Sequence, residues 1–267
     1  VLKSIEKNAE TTALTRAAAT GLVEQTIVYI RDYVAKQNLR PGAKLPSETK
    51  LSELLGVSRP VVREAMRALA GTGLIEMAVG KRAIITRLDG EMIGQIIENA
   101  VLIGQADTKN VLEMRRSLEI GMVALAATRR SADDVVKLQT IVKAMADALH
   151  SGPQYSALDL QFHLALAEAA GNPLYVLLIE AFRQVFEASM LEGMERRSNN
   201  PELETVQRLH EAIIDAVAAG DPAAATNAMS NHFDEAYSKF WSDRIGFLAH
   251  KGNDNQLSRP TTETPSK

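Results

Sequence analysis

Apolar residues recur at helical spacing along most of this chain, and only one short region breaks into strand-like runs. Val23, Ile27, Ile30 and Val34 make one face of a helix over 21–37, after which Asn38-Leu39-Arg40-Pro41-Gly42 turns the chain. Leu51, Leu54 and Leu55 form the stripe of a short helix that Ser47 caps, with Glu48 favourable in its first turn. Lys50 stands where a reciprocal capping box would need Glu or Gln. Gly56 stops this helix, Val57 packs into the angle, and Ser58 with Pro60 starts the next. Over 59–70, Val62, Met66 and Leu69 point inward, which leaves Arg59, Arg63 and Arg67 four apart on another face. Past Gly71-Thr72-Gly73, the runs Leu74-Ile75-Glu76-Met77 and Ala83-Ile84-Ile85-Thr86 flank Val79-Gly80-Lys81-Arg82, a hairpin with a basic tip.

From residue 89 onward the pattern is helical almost throughout. Helices are predicted near 91–104, 107–130, 132–150, 153–170, 172–197, 201–219 and 221–245. They are separated by stop-and-cap signals such as Gly171-Asn172-Pro173 and Gly220-Asp221-Pro222. Short connections between amphipathic helices imply a bundle whose interior can hold a ligand or metal. The expected fold is therefore mainly α: an N-terminal winged helix-turn-helix with a small β-hairpin wing, then an all-α helical bundle. The expected divisions are a flexible arm at 1–20, the winged unit at 21–88, and a linker with the first helix of the body at 89–106. A ligand-binding domain at 107–246 and a disordered tail at 247–267 complete the chain.

Composition changes this picture in two places. The chain has no cysteine, which excludes disulfides and thiolate sites, and no apolar run near the ~20 residues of a membrane span. No signal-peptide core is evident, so a cytoplasmic, nucleoid-associated protein with no membrane partner is expected. The formal net charge of −3 argues against nucleic acid until the chain is divided. Residues 1–90 hold 14 Lys/Arg against 9 Asp/Glu, whereas the remainder holds 16 against 24, so a basic end sits on an acidic body. Taken alone, Arg59, Arg63 and Arg67 describe a solvated basic face. The order helix, turn, helix, basic hairpin makes it a face for phosphates and guanine edges in a major groove.

A stretch of roughly 65 residues from about Gly21, with 45–86 at its heart, resembles the DNA-binding domain of the GntR superfamily of bacterial regulators. The resemblance runs through Pro41-Gly42, Leu45-Pro46-Ser47-Glu48, Leu51, Gly56-Val57-Ser58-Arg59, Val62-Arg63-Glu64-Ala65, Leu69 and Gly73-Leu74-Ile75. It implies operator contacts by Arg59 and Arg63 and close approach of Gly80 to the DNA backbone. Ser58 at the helix start, Arg67, Lys44, Lys81 and Arg82 complete the candidate DNA-binding set. Two departures stand out: Thr49 occupies a position where the family usually has arginine, which Lys44 or Lys50 replaces only in part, and Ala83 replaces a second wing glycine. The implied partner is double-stranded operator DNA, bound by a homodimer with one winged unit per half-site.

Candidate chemistry in the body rests on few residues. The chain has five histidines, and His163 follows Asp159 by four, so both project from one helix face. His210 lies in the next-to-last helix and His232 in the last. Each alone reads as an ordinary helix residue; together, one Asp and three His suit Zn first, with Ni, Mn, Co and Fe as further options. The stretch 107–240 resembles the FCD ligand-binding domain of the FadR subfamily. The matching pieces are Val111-Leu112-Glu113-Met114-Arg115-Arg116, Asp159-Leu160-Gln161-Phe162-His163, Ala169-Ala170-Gly171-Asn172-Pro173, Arg208-Leu209-His210 and Ala228-Met229 with His232. That resemblance implies a divalent metal ion held by Asp159, His163, His210 and His232, and an effector carboxylate held by Arg115. The alternative for Arg115 and Arg116 is a surface or interhelical salt bridge, for example with Glu119. Met114, Met122, Met145, Met190, Met194 and Met229 read as core or adaptable packing surface rather than a cofactor box.

These readings converge on a transcriptional regulator, a repressor by the family's commoner arrangement, controlled by a small carboxylate or sugar-acid effector. A metal-dependent helical enzyme acting on small carboxylates, with an accessory DNA-binding domain, is the runner-up. No general base beyond the ligands favours it, and it leaves the winged segment unexplained. A ligand-free architectural DNA-binding protein is a third reading, and it gives four convergent polar groups no purpose.

Overall fold

The computed structural model describes residues 21–183 and 201–237, with the side chains of 201 and 202 excepted. The expected arm at 1–20, the far ends of the helices predicted at 172–197 and 221–245, Met190, Met194 and the tail lie outside the described residues. The chain falls into two compact units that part between Met92 and Ile93.

The first unit is a winged helix-turn-helix. Helix α1 spans 21–36 and buries Ile30, with Ile27 and Val34 packed beside it. Helices α2 (Glu48–Leu55) and α3 (Arg59–Gly71) follow, then strands β1 (Ile75–Glu76) and β2 (Ile84–Ile85). Ser47 caps α2, its hydroxyl accepting from the Lys50 amide at 3.2 Å. Gly56 ends it at φ +65°, a left-handed conformation that costs a β-carbon-free residue nothing. Ser58 has the extended backbone of a cap, but its side chain makes no capping bond; Pro60 alone prepares the start of α3. The strands pair antiparallel, with Ile75 opposite Ile85 and Glu76 opposite Ile84. Residues 42–45 add a third edge, because Leu45 N–H donates to the Ala83 carbonyl and Ile85 N–H to that of Ala43.

Leu45, Leu51, Val62, Met66, Leu69, Ile75, Ala83 and Ile85 close the core of this unit. The expected inward stripe of α3 is buried throughout, but in α2 only Leu51 is; Leu54 is 51% exposed. Position i+3 lies 60° around the helix from Leu51, and an eight-residue helix has room for only a narrow contact stripe.

The second unit is all helix among its described residues: α4 (Glu91–Leu102), α5 (Thr108–Arg129), α6 (Ala132–Asp147), α7 (Gly152–Ala169), α8 (from 173, described to 183), α9 (Pro201–Ala219) and α10 (222–237). Helix α4 begins within the first unit and continues into this one. Asp107 with Asn110, and Ser131 with Asp134, form reciprocal capping boxes that start α5 and α6. Helices α7 and α9 each pack against both α5 and α6. The shared core includes Met122, Val123, Leu138, Met145, Phe162, Leu166, Ile213, Val217, Met229 and Phe233. Met114, read as core or packing surface, is 61% exposed, because the buried face of α5 runs through Val111, Leu112, Arg115 and Glu119.

Two arginines bind helix ends together. Arg129 Nη1 donates to the Ala170 carbonyl at the end of α7 (2.8 Å), and Arg130 Nη2 to the Ala218 carbonyl in the last turn of α9 (3.1 Å). Both satisfy carbonyls that a helix terminus leaves without partners. A β-carbon at Gly220 would sit 2.9 Å from Arg130 Cζ, so glycine there makes room for the second clasp.

Candidate metal centre and nucleic-acid interface

On α3 the side chains of Arg59, Arg63 and Arg67 are exposed, opposite the buried Val62, Met66 and Leu69. They border a cleft of about 580 Å³ whose other walls are the start of α2, with Ser47, Glu48 and Thr49, and the wing from Met77 to Ala83. Helix, turn and wing thus present one concave basic surface. Within it Glu48 grips Arg63, with Nη2 to Oε2 at 2.7 Å and Nε to both carboxylate oxygens at 3.2 Å. The hydrogen bond from Arg63 lowers the Glu48 carboxyl and raises the guanidinium in turn. This side-on grip leaves the Nη1 edge of Arg63 turned away from Glu48.

The wing differs from a uniformly free basic tip. Lys81 and Lys44 are exposed, and Gly80 turns the chain at φ +73° with nothing within 4 Å of the place a β-carbon would occupy. Arg82, however, donates through Nε (2.8 Å) and Nη2 (2.6 Å) to the Leu45 carbonyl, and so fastens the wing to the loop before α2. Ala83, where a glycine was expected, is 5% exposed and belongs to the core.

In the helical unit α7, α9 and α10 bring Asp159, His163, His210 and His232 together, with one donor atom of each within 4.8 Å of all the others. Spacing explains the convergence. On α7, Tyr155, Asp159 and His163 step by four along one face, and on α9 Leu203, Gln207, His210, Ile214 and Val217 line the buried side. His163 Nε2, His210 Nε2 and His232 Nδ1 are buried and have no hydrogen-bond partner. Asp159 Oδ1 lies 2.9 Å from His210 Nε2 and 3.9 Å from His163 Nε2, in ionic contact but without hydrogen-bond geometry. Three buried ring nitrogens left without a hydrogen-bond partner around one carboxylate cost folding free energy unless something engages them. That donor set fits a divalent metal ion of the zinc type.

Electrostatics favour the metal-competent forms of Asp159 and His232. Burial pushes the Asp159 carboxyl up, but His163, His210 and His232 outweigh it and hold it well below the usual carboxylate range. Burial, reinforced by His210 and His163, drives His232 far down, which favours the neutral ring. For His163 burial acts downward, yet Glu119 and Asp159 prevail and raise it, which makes proton and metal competitors there. Burial together with the Asp159 and Glu211 charges pushes the Tyr155 phenol up.

Around the Asp/His cluster, Tyr155 and Gln207 escaped the sequence reading, and Glu119 entered it only as an ion-pair partner for Arg115 or Arg116. Glu119, fully buried, accepts from Arg115 Nε at 2.7 Å and pairs through its other oxygen with His163 Nδ1. Burial pushes its carboxyl up, but Arg115 and His163 outweigh that and hold it at about 2. Tyr155 and Gln207 stand behind His210. The available signal was helical spacing: Glu119 is four after Arg115, Tyr155 four before Asp159, and Gln207 three before His210. Arg115 thus makes the ion pair with Glu119 that was its alternative reading, in the interior, with its guanidinium carbon 5.7 Å from the Phe233 ring centre. Arg116 points elsewhere, to Ser230 Oγ (2.7 Å) and Asp234 Oδ1 (3.1 Å).

A winged helix-turn-helix with an exposed arginine face, joined to a helical unit with an interior Asp/His3 cluster, defines a ligand-domain transcriptional regulator. Residues 22–85 match the gntR family of bacterial regulatory proteins and residues 110–235 the FCD domain. The chain belongs to the gntR family, in its FCD-bearing form. It is 36% identical over 196 residues to the HTH-type transcriptional regulator LutR of Bacillus subtilis (strain 168), covering 73% of this chain and 90% of that one. It is 31% identical over 209 residues to a putative L-lactate dehydrogenase operon regulatory protein of Escherichia coli (strain K12), covering 76% and 80%. Among solved structures, a Streptococcus agalactiae GntR protein superposes with a TM-score of 0.64 at 27% identity, over 81% of this chain and 99% of the other.

Proposed function

We propose that this protein is a metal-dependent, effector-controlled repressor, which binds a near-palindromic operator as a homodimer and leaves it when a small carboxylate enters the helical unit. The observation that carries the reading is the meeting of three buried, unpartnered imidazole nitrogens on Asp159, in a chain that also bears an exposed arginine face on a winged unit. Asp159, His163, His210 and His232 would hold the ion. When bound, the ion supplies a Lewis-acid centre for carboxylate and hydroxyl oxygens.

Glu119 joins this cluster to Arg115, so a group engaging the Arg115 guanidinium acts on a residue already tied to His163. A 2-hydroxy acid offers a carboxylate for charge-assisted recognition and a second oxygen for a metal. The relative named for a lactate dehydrogenase operon supports that class among small carboxylates and sugar acids. Arg59, Arg63 and Arg67, with Ser58 at the start of their helix, read the major groove, while Gly80, Lys81 and Lys44 meet phosphates and Arg82 sets the wing's position. An effector shifts operator occupancy only by its differential affinity for the two states.

The test has two arms. Selection from random duplexes should return a sequence with two-fold symmetry. Zinc-loaded protein on that duplex should dissociate when a panel of small hydroxy acids is titrated in, as read by fluorescence anisotropy. His210→Ala should keep duplex binding while losing zinc and the response; a variant with the wild-type zinc content would exclude His210 as a ligand.

A further inference from the structure

Of the three arginines on the α3 face, Arg63 is the one gripped by a carboxylate from another helix among the described residues. Glu48 is the first residue of α2. The Ser47 cap sets it in place, and a bond from Ser52 Oγ to the Val57 carbonyl (2.6 Å) closes the turn between the helices. Its two oxygens take Nε and Nη2 of Arg63, the donors along one side of the planar guanidinium. The donors left over include the pair at the tip, one N–H each from Nη1 and Nη2, pointing the same way. The Arg63 side chain is 46% exposed and lines the cleft between α3 and the wing, so that tip is open to a partner.

Two parallel donors call for two acceptors side by side. On the major-groove edges of the bases only guanine offers them, at O6 and N7; adenine sets an acceptor beside a donor. The oxygens of a phosphate fit the same fork. Against them stands the Glu48 charge, which cancels that of Arg63 at hydrogen-bond distance and faces the same cleft. Glu48 is kept ionised there, because the hydrogen bond from Arg63 lowers its carboxyl. A long arginine stem otherwise gives up rotamer freedom on binding, a cost that a preset side chain largely avoids.

We infer that Glu48 is a positioning and specificity-determining residue: it presents the Nη1–Nη2 tip of Arg63 to guanine and withholds that guanidinium from phosphates. The inference rests on the reading of α3 as the groove-facing helix. It goes beyond that reading in giving a carboxylate on the neighbouring helix control over which base is read.

The test uses the full chain and the duplex recovered by selection, with each base pair of one half-site replaced in turn and binding followed by anisotropy at fixed salt. Arg63→Ala marks the position that Arg63 reads, where a preference for guanine should vanish. Glu48→Ala should lower discrimination at that same position about fivefold or more and keep it elsewhere, with far-ultraviolet circular dichroism unchanged. Its affinity for random duplex should rise, with a log–log salt slope steeper by up to about one, as Arg63 becomes a free cation for phosphates. Glu48→Gln retains an acceptor for Arg63 without the charge, and should keep most of the base preference while binding random duplex more tightly.

Unchanged discrimination in Glu48→Ala overturns the proposal. A loss at a position other than the one marked by Arg63→Ala also overturns it, because Glu48 would then read a base itself, such as cytosine through N4. A Glu48→Gln variant as indiscriminate as Glu48→Ala would overturn the hydrogen-bonded grip. Recovery of no sequence by the wild type would remove the groove-facing reading, and this inference with it.

Discussion

Arg63 and Glu48 face each other across the turn of the winged unit, and the pair separates two kinds of effect at one side chain. Both partners are partly exposed, so the ion pair adds little to folding. Glu48→Ala is expected to change the urea midpoint by less than the equivalent of about 1 kcal/mol. Arg63→Ala should lower operator affinity about tenfold or more, in line with ~1–3 kcal/mol for a good base contact. Unchanged anisotropy titrations would remove Arg63 from the reading face. At this scale the sequence was legible where candidate site residues follow helical spacing: Asp159 and His163 share a face at i, i+4, and the three arginines share another. It was silent where partners come from distant segments. Arg82 looked like a wing-tip cation because the Leu45 carbonyl that holds it lies 37 residues away. Glu119 gave no sign of meeting His163, 44 residues on.

Among the elements, those with strong local signals stand where they were expected. Stop-and-cap sequences bound α5, α6 and α7 to within about three residues. The α6 start is a direct test of such a signal. Ser131→Ala removes the hydroxyl that accepts from the Asp134 amide and should cost about 0.5–2 kcal/mol in urea unfolding. Hydrogen bonds from the Ser131 hydroxyl and amide lower the Asp134 carboxyl in the folded state. The folded box therefore binds protons less readily than the unfolded chain, so its contribution is complete above about pH 5 and fades as the acid protonates. The Ser131→Ala deficit should shrink between pH 5 and pH 3; an undiminished deficit would mean that the carboxylate plays no part. Finer placement eluded the pattern where an element is short or wrapped. Leu54 left the stripe of an eight-residue helix, and Met114 sits on the solvent side of α5. On α7, polar Asp159 and His163 are as buried as Phe162 and Leu166, because the helix packs against both α5 and α6 and its interior face is itself the site.

For the whole molecule, the basic first ninety residues and the acidic remainder assign opposite electrostatic roles to the two units. Operator affinity should fall steeply with salt, with a log–log slope set by the number of phosphates met, whereas zinc affinity should hardly follow salt. A shallow slope for DNA would leave the arginine face without its partner. Zinc at a hundred times its dissociation constant should stabilise the second unit by about 2.7 kcal/mol, seen as a raised unfolding midpoint that chelator reverses; no shift would mean the ion does not select the folded state. Chelator-treated protein should keep its helical circular dichroism, for a reason in the ends of the bundle. Arg129 and Arg130 hold the ends of α7 and α9 from outside the Asp/His cluster, by contacts to main-chain carbonyls that are indifferent to which side chains those helices carry. The consequence is one of inheritance. Helix register here is held in part by contacts outside the Asp/His cluster, so a descendant that exchanged His163 or His210 would still have these two clasps to hold the bundle.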